Sequence, residues 1–104
     1  MAPENELIAL KVYNTQNEVM VAACDYELLG KTFEDGDYQI QVSPDFYDDV
    51  KVSPENFISH LTEATIINLV GERVIDHAIK AGLVEEDGII RIKGIPHAQI
   101  FKME

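Results

Sequence analysis

The stretch Ile66-Ile67-Asn68-Leu69-Val70-Gly71-Glu72-Arg73-Val74-Ile75-Asp76-His77-Ala78-Ile79-Lys80-Ala81-Gly82 decides how the chain is read. Ile66, Val70, Val74 and Ala78 form one row at four-residue spacing, and Ile67, Gly71, Ile75 and Ile79 form the adjacent row. That stripe predicts an amphipathic helix, stopped by Gly82 as a C-terminal cap with Leu83 folding back on the last turn. Upstream, Ser53-Pro54 is a helix start, with Ser as N-cap and Pro where no N–H partner is needed. From there Phe57, Ile58, Leu61 and Ala64 make a second apolar stripe. One helix over residues 54–81 would run roughly 42 Å at about 1.5 Å per residue, more than a domain of this size holds. A break near residues 62–65 is therefore expected, which leaves two main helices.

Strands flank this pair. In residues 7–13, Ile8, Leu10 and Val12 alternate with Ala9, Lys11 and Tyr13, and in residues 18–24, Val19, Val21 and Ala23 alternate in the same way. The turn cluster Asn14-Thr15-Gln16-Asn17 joins them into an antiparallel hairpin. After an irregular stretch and the turn Glu34-Asp35-Gly36-Asp37, residues 38–42 give a third strand that is polar on one face. Ser43-Pro44 opens only a single helical turn. Residues 89–92 and 97–102 read as two final strands joined through Lys93-Gly94-Ile95-Pro96. The order of strands, helices and strands predicts an α+β domain: a mostly antiparallel sheet with two main helices packed on one face, not a wound βαβ fold.

A chain of 104 residues buries one hydrophobic core and is too short for two, so a single domain is expected. The formal net charge is -11, from 19 acidic against 8 basic side chains, and the resulting field repels phosphate and anionic lipid. A broad nucleic-acid groove is thereby disfavoured. The acidity fits either attraction for basic partners or surface hydration in a salty cytoplasm, and the spread of acids along the chain favours the second. The lone Cys24 supports no internal disulfide and fits a reducing compartment, so a cytoplasmic location is expected. The acidic Met1-Ala2-Pro3-Glu4-Asn5-Glu6 shows neither a basic targeting head nor an apolar span, so no membrane association is expected.

No stretch carries a catalytic signature. Cys24 beside Asp25 would be a nucleophile only if His97 approached it, and a buried Cys at a strand end is commonly a small hydrophobe. His60, His77 and His97 lack metal-binding spacing; beside His77, Glu72 and Asp76 form an acidic pair on a solvated helix face. No metal or cofactor is expected. Gly30-Lys31-Thr32 resembles the end of a phosphate loop but lacks the upstream Gly.

Binding candidates are clearer. Strand alternation puts His97, Gln99 and Phe101 on one face, where an imidazole and an amide side by side could read a ligand. Equally, His97 could hydrogen-bond carbonyls of the Gly94 and Pro96 turn. Gly71 within an apolar row implies close approach by another group, with Asn68 and Arg73 on either side of it. Lys31, Arg73, Arg91 and Lys93 would form a positive spot if folding gathered them, and ordinary surface charges if it scattered them.

Three stretches carry a family resemblance: Ala22-Ala23-Cys24-Asp25-Tyr26-Glu27-Leu28-Leu29-Gly30-Lys31-Thr32-Phe33, Ala64-Thr65-Ile66-Ile67-Asn68-Leu69-Val70-Gly71-Glu72, and Ile90-Arg91-Ile92-Lys93-Gly94-Ile95-Pro96-His97-Ala98-Gln99. Together they resemble the archaeal domain-of-unknown-function family four-two-four over nearly the whole chain. The resemblance implies no established activity; the family is described as uncharacterised or as a candidate RNA binder with a link to translation. Its pattern falls on Asp25, Leu29, Gly30, Lys31, Asn68, Gly71, Pro96, His97 and Gln99. Lys93 stands where the family often has Gly, and Ile67 where a smaller residue is usual.

The resulting expectation is a non-catalytic binding module in an archaeal translation- or RNA-related assembly. Its contact residues would come from Asp25, Lys31, Asn68, Arg73, Arg91, Lys93, His97 and Gln99. The partner would be RNA, a ribonucleoprotein component or a basic protein of the translation apparatus. Against RNA stands the small number of basic residues available for phosphate contacts. The alternatives are a small-molecule enzyme using His97 as general acid or base with Asp25, Asn68 or Lys31 orienting substrate, and a homo-oligomeric structural protein pairing through residues 38–42.

Overall fold

The computed structural model describes residues 7–102; the N-terminal Met1-Ala2-Pro3-Glu4-Asn5-Glu6, read above for targeting signals, lies outside them. Strand β1 (Ile8–Asn14) pairs antiparallel with β2 (Val19–Asp25), as the alternation predicts, with Ile8 opposite Asp25 and Asn14 opposite Val19. Beyond β2 the chain makes a short 3-10 turn and a small separate hairpin of β3 (Thr32–Asp35) and β4 (Tyr38–Gln41). A one-turn helix α1 (Pro44–Tyr47) follows, then the short strand β5 (Val50–Val52), which pairs with β1. Helix α2 (Pro54–Glu63) starts as its Ser-Pro pair dictates, the Ser53 hydroxyl accepting from the Asn56 N–H.

The segment after α2 overturns the reading of one long stripe. The chain does break at Ala64 and Thr65, but Ile66–Val70 is strand β6, and only Glu72–Lys80 forms the next helix, α3. In a five-residue run an i, i+4 pair such as Ile66 and Val70 shares a face in a strand as well as in a helix, so the spacing could not separate the two. The β-branched Ile66, Ile67 and Val70 favour the strand. Gly71, at φ 124° and ψ 153°, then turns the chain into α3 through a conformation that only glycine adopts readily. The far end of α3 is as expected: Gly82 donates to the Ile79 carbonyl and Leu83 to that of Ala78, a Schellman closure.

Strand β6 lies parallel beside β2, and β8 (Ile95–Phe101) and β7 (Ile89–Ile92) complete a six-stranded sheet in the order β5-β1-β2-β6-β8-β7. All neighbours but β2 and β6 run antiparallel. The α+β class with a mostly antiparallel sheet therefore holds. It nevertheless contains two parallel crossovers, from β5 through α2 to β6 and from β6 through α3 to β7, each passing over intervening strands. Among the described residues no helix is long and apolar enough to cross a membrane.

Both main helices pack on one face. Phe57 and Leu61 of α2 and Val74 and Ala78 of α3 lie fully buried with Leu10, Ile67 and Leu69 of the sheet. Burying each of these side chains other than Ala78 contributes about 1.5–3 kcal/mol. The other face is covered unevenly. There α1 stands over β1 and β2, while the β3–β4 hairpin lies beside β7, and Ala22, Cys24, Leu28, Ile40, Tyr47 and Ile92 join in a second, smaller cluster.

The turn between β7 and β8 is the two-residue Lys93-Gly94, closed by the Ile92 and Ile95 pair, with both φ angles positive at 55° and 78°. A hairpin of this form favours Asn at its first position, whereas a left-handed Lys costs about 1–2 kcal/mol. Lys93→Asn is expected to raise the unfolding free energy by about 0.5–1 kcal/mol in urea titration, and an unchanged midpoint would refute that.

Candidate functional site

Strand register sets the residues of the second face in rows that cross the sheet. One row runs Tyr13, Met20, Ile66, Phe101; the next Lys11, Ala22, Asn68, Gln99; the third Ala9, Cys24, Val70, His97, Ile90. Neighbouring members of a row are about 4.8 Å apart and successive rows about 6.6 Å apart, the distance two residues span along a strand. The Ala9, Cys24 and Val70 part is sealed under Leu28, Ile40, Val42 and Tyr47. The rest is open: Met20, Ile66, Asn68 and His97 are partly buried, Gln99 is exposed, and Ile90 and Phe101 are 51% and 63% exposed. The result is a strip of β6 and β8 bordered by α1 on the β1–β2 side and by the β3–β4 hairpin on the β7 side.

Tyr47 reaches this strip from α1, and its buried hydroxyl donates to the Asn68 Oδ1 at 2.8 Å. Burial raises the Tyr47 pKa, so the phenol stays a donor. That bond orients the Asn68 amide and leaves its N–H groups for an outside acceptor. Next to it, the Gln99 side chain makes no hydrogen bond to any described residue. The same is true of the His97 imidazole. Of the two readings of this histidine, the one in which turn carbonyls hold its ring is not what the structure contains. Burial lowers its pKa from the usual 6.5, so the ring is neutral at physiological pH.

The charged candidates belong to a different construction at the end of the sheet. Asp25 is 3% exposed, points to the helical side, and accepts from the main-chain N–H groups of Arg73 and Val74, both at 3.0 Å. It thus caps α3 from 48 residues away, a role that a local reading of helix starts does not show. Burial raises the Asp25 pKa, and the two N–H bonds and the Arg73 guanidinium work against it. Arg73 itself forks onto the Glu27 carboxylate, with the Nη2 bond at 2.8 Å, and donates to the Leu7 carbonyl at 3.0 Å. This bidentate bond, before all else, lowers the Glu27 pKa.

The group approaching Gly71 is now identified. A Cβ there would press on the Asp25 Cγ and lie 2.7 Å from both carboxylate oxygens. Gly71 also donates its N–H to the Pro96 carbonyl at 2.9 Å, which ties the closing hairpin to the same corner. The smaller residue usual at position 67 has no bearing here, because Ile67 is fully buried in β6 under the helices.

The structure therefore splits the eight sequence candidates. Asn68, His97 and Gln99 share the open strip. Asp25 and Arg73 are engaged in anchoring α3 on the opposite side. Arg91 lies 3.9 Å from Glu72 and from Glu86, while Lys31 is exposed just before β3 and Lys93 is exposed in the β7–β8 turn. Carboxylates accompany both arginines and offset their charge. The sequence reading missed Tyr47, Met20, Ile66 and Ile90. Their placement depends on β6 being a strand, and only the β-branched content of that run signals it.

His97 does not approach Cys24. Cys24 is two strands away in its row, about 10 Å, with its pKa pushed up to about 12 by burial and then by Asp25, so it remains a thiol. The clefts of about 540 Å³ beside Glu18, Thr65 and Lys102 and of about 500 Å³ beside Ile58 and His77 lie elsewhere. Among the described residues no group of His, Cys, Asp or Glu is arranged to hold a metal ion.

A crystal structure of an uncharacterized conserved protein from Methanopyrus kandleri is similar to this chain, with 27% identity and a TM-score of 0.76 over 94% of this chain and 95% of that one. No curated protein matches. Residues 13–103, which carry β2, both helices and the whole open strip, match the model of the family described as a protein of unknown function (DUF424), and the chain belongs to that family.

Proposed function

We propose that this protein is a non-catalytic binding module of an archaeal translation- or RNA-related assembly, and that it docks through the open strip of β6 and β8. The observation that carries the docking role is the neutral pair of Asn68 and Gln99 beside His97, whose ring bonds to no described residue, on sheet that no other described element covers. Exposed apolar groups at Phe101 and Ile90 border the polar ones, the composition of a recognition surface. Support for the kind of assembly comes from the family resemblance alone. In the enzyme alternative, of the residues nominated to orient substrate beside His97, Asp25 lies on the opposite face and caps α3, while Asn68 shares the strip and is held by Tyr47.

The test compares wild type with Gln99→Arg, which places a bulky cation on the strip without disturbing the core. In sedimentation of extract from the native cells, wild type is expected in the ribonucleoprotein fractions and the variant in the free fraction, both keeping the same melting temperature. Wild type migrating wholly as free protein, or both migrating together in the heavy fractions, would overturn the proposal.

A further inference from the structure

The elements bordering the strip are acidic on both sides: Asp45, Asp48 and Asp49 in and after α1, and Glu34, Asp35 and Asp37 in the β3–β4 hairpin, all exposed. We infer that the occupant of the strip is an extended polypeptide segment rich in Lys and Arg. This rests on the binding-module reading and gives the partner its chemistry.

Charge selects among the possible occupants. A net charge of -11 repels nucleic-acid phosphates, and it repels a second copy of the same chain equally, so both need compensating contacts that the strip does not provide. A basic segment is drawn to the same surface, with the long side chains reaching the carboxylates of the two borders and the backbone lying between them. The floor is suited to a backbone. It presents outward amide donors and acceptors from Asn68 and Gln99, the former fixed by Tyr47, and carries no charge of its own. Along the floor the repeat is also right: same-face residues Val70, Asn68 and Ile66, or His97, Gln99 and Phe101, recur at about 6.6 Å, the spacing of alternate side chains in an extended peptide. At the far end, Met20, Ile66 and Phe101 offer an apolar seat for one side chain of such a segment.

The experiment uses fluorescence anisotropy on the full chain with three labelled probes: a peptide of alternating Lys and Val, one of alternating Glu and Val, and single-stranded oligouridine. The Lys-Val peptide is expected to bind at least about tenfold more tightly than either of the others, and less tightly as salt rises. Gln99→Arg is expected to weaken it at least about tenfold, and Asp37→Asn with Asp48→Asn severalfold. Glu55→Gln, an equal charge change to Gln99→Arg on the helical side, is expected to alter it by less than about twofold. Stronger binding of oligouridine or of the Glu-Val peptide overturns the inference, as does a Glu55→Gln loss equal to that of Gln99→Arg. If Gln99→Arg releases the protein from its native assembly while the Lys-Val peptide fails to bind, the docking role stands and the basic occupant falls. If the peptide binds as described but sedimentation does not respond to Gln99→Arg, the basic-segment site stands and the assembly reading falls.

Discussion

Gly71→Ala is expected to lower the unfolding free energy by about 3–5 kcal/mol, a large part of the 5–15 kcal/mol typical of a domain. Two effects combine at this residue. Its φ of 124° with ψ of 153° lies in a region essentially closed to residues with a Cβ, which costs about 1–3 kcal/mol. The added methyl also meets the Asp25 carboxylate, so that the cap of α3 must move away from the N–H groups it accepts from. A double-mutant cycle separates the two effects by urea unfolding. In an Asp25→Ala background only the backbone strain remains, and the cost of Gly71→Ala is expected to shrink by more than about 1 kcal/mol. Strict additivity would show that the close approach contributes nothing.

The same corner explains which parts of the structure are legible in the sequence. The β1–β2 hairpin, α2 and the cap at Gly82 are determined by contacts close in sequence: alternation, a Ser-Pro start and a Schellman closure. The open face of β8 is legible for the same reason, since alternation alone puts His97 and Gln99 together. What stays hidden is set by partners far along the chain. Strand β6 owes its conformation to β2 on one side and β8 on the other, and α3 is capped by a carboxylate from the end of β2. Reading residues 66–82 as one stripe therefore kept Asn68 on a helix, where it had no relation to Gln99. As a strand residue it stands opposite Gln99 and beneath Tyr47. Glycine was the visible clue: the need for close approach at Gly71 is correct, but its cause is a side chain from a segment more than 40 residues away.

Asp25→Ala is expected to cost about 3 kcal/mol, because it leaves the Arg73 and Val74 N–H groups without their acceptors at a buried helix start. Asp25→Asn keeps one acceptor and turns an amide N–H toward the other donor, so a smaller loss of about 1–2 kcal/mol is expected at neutral pH. Its pH dependence identifies which force dominates the site. Burial raises the Asp25 pKa above its ordinary 3.8, so between that value and the raised one the folded chain holds a proton that the unfolded chain has released. Wild-type stability from this group therefore falls as pH rises through the window, while Asn at position 25 contributes no titration. The difference between wild type and Asp25→Asn, measured by urea unfolding across that range, is expected to narrow as pH rises. A difference that widens instead would mean that the two N–H bonds and the Arg73 guanidinium outweigh burial, and that α3 is held by an anion at every pH where the protein is folded.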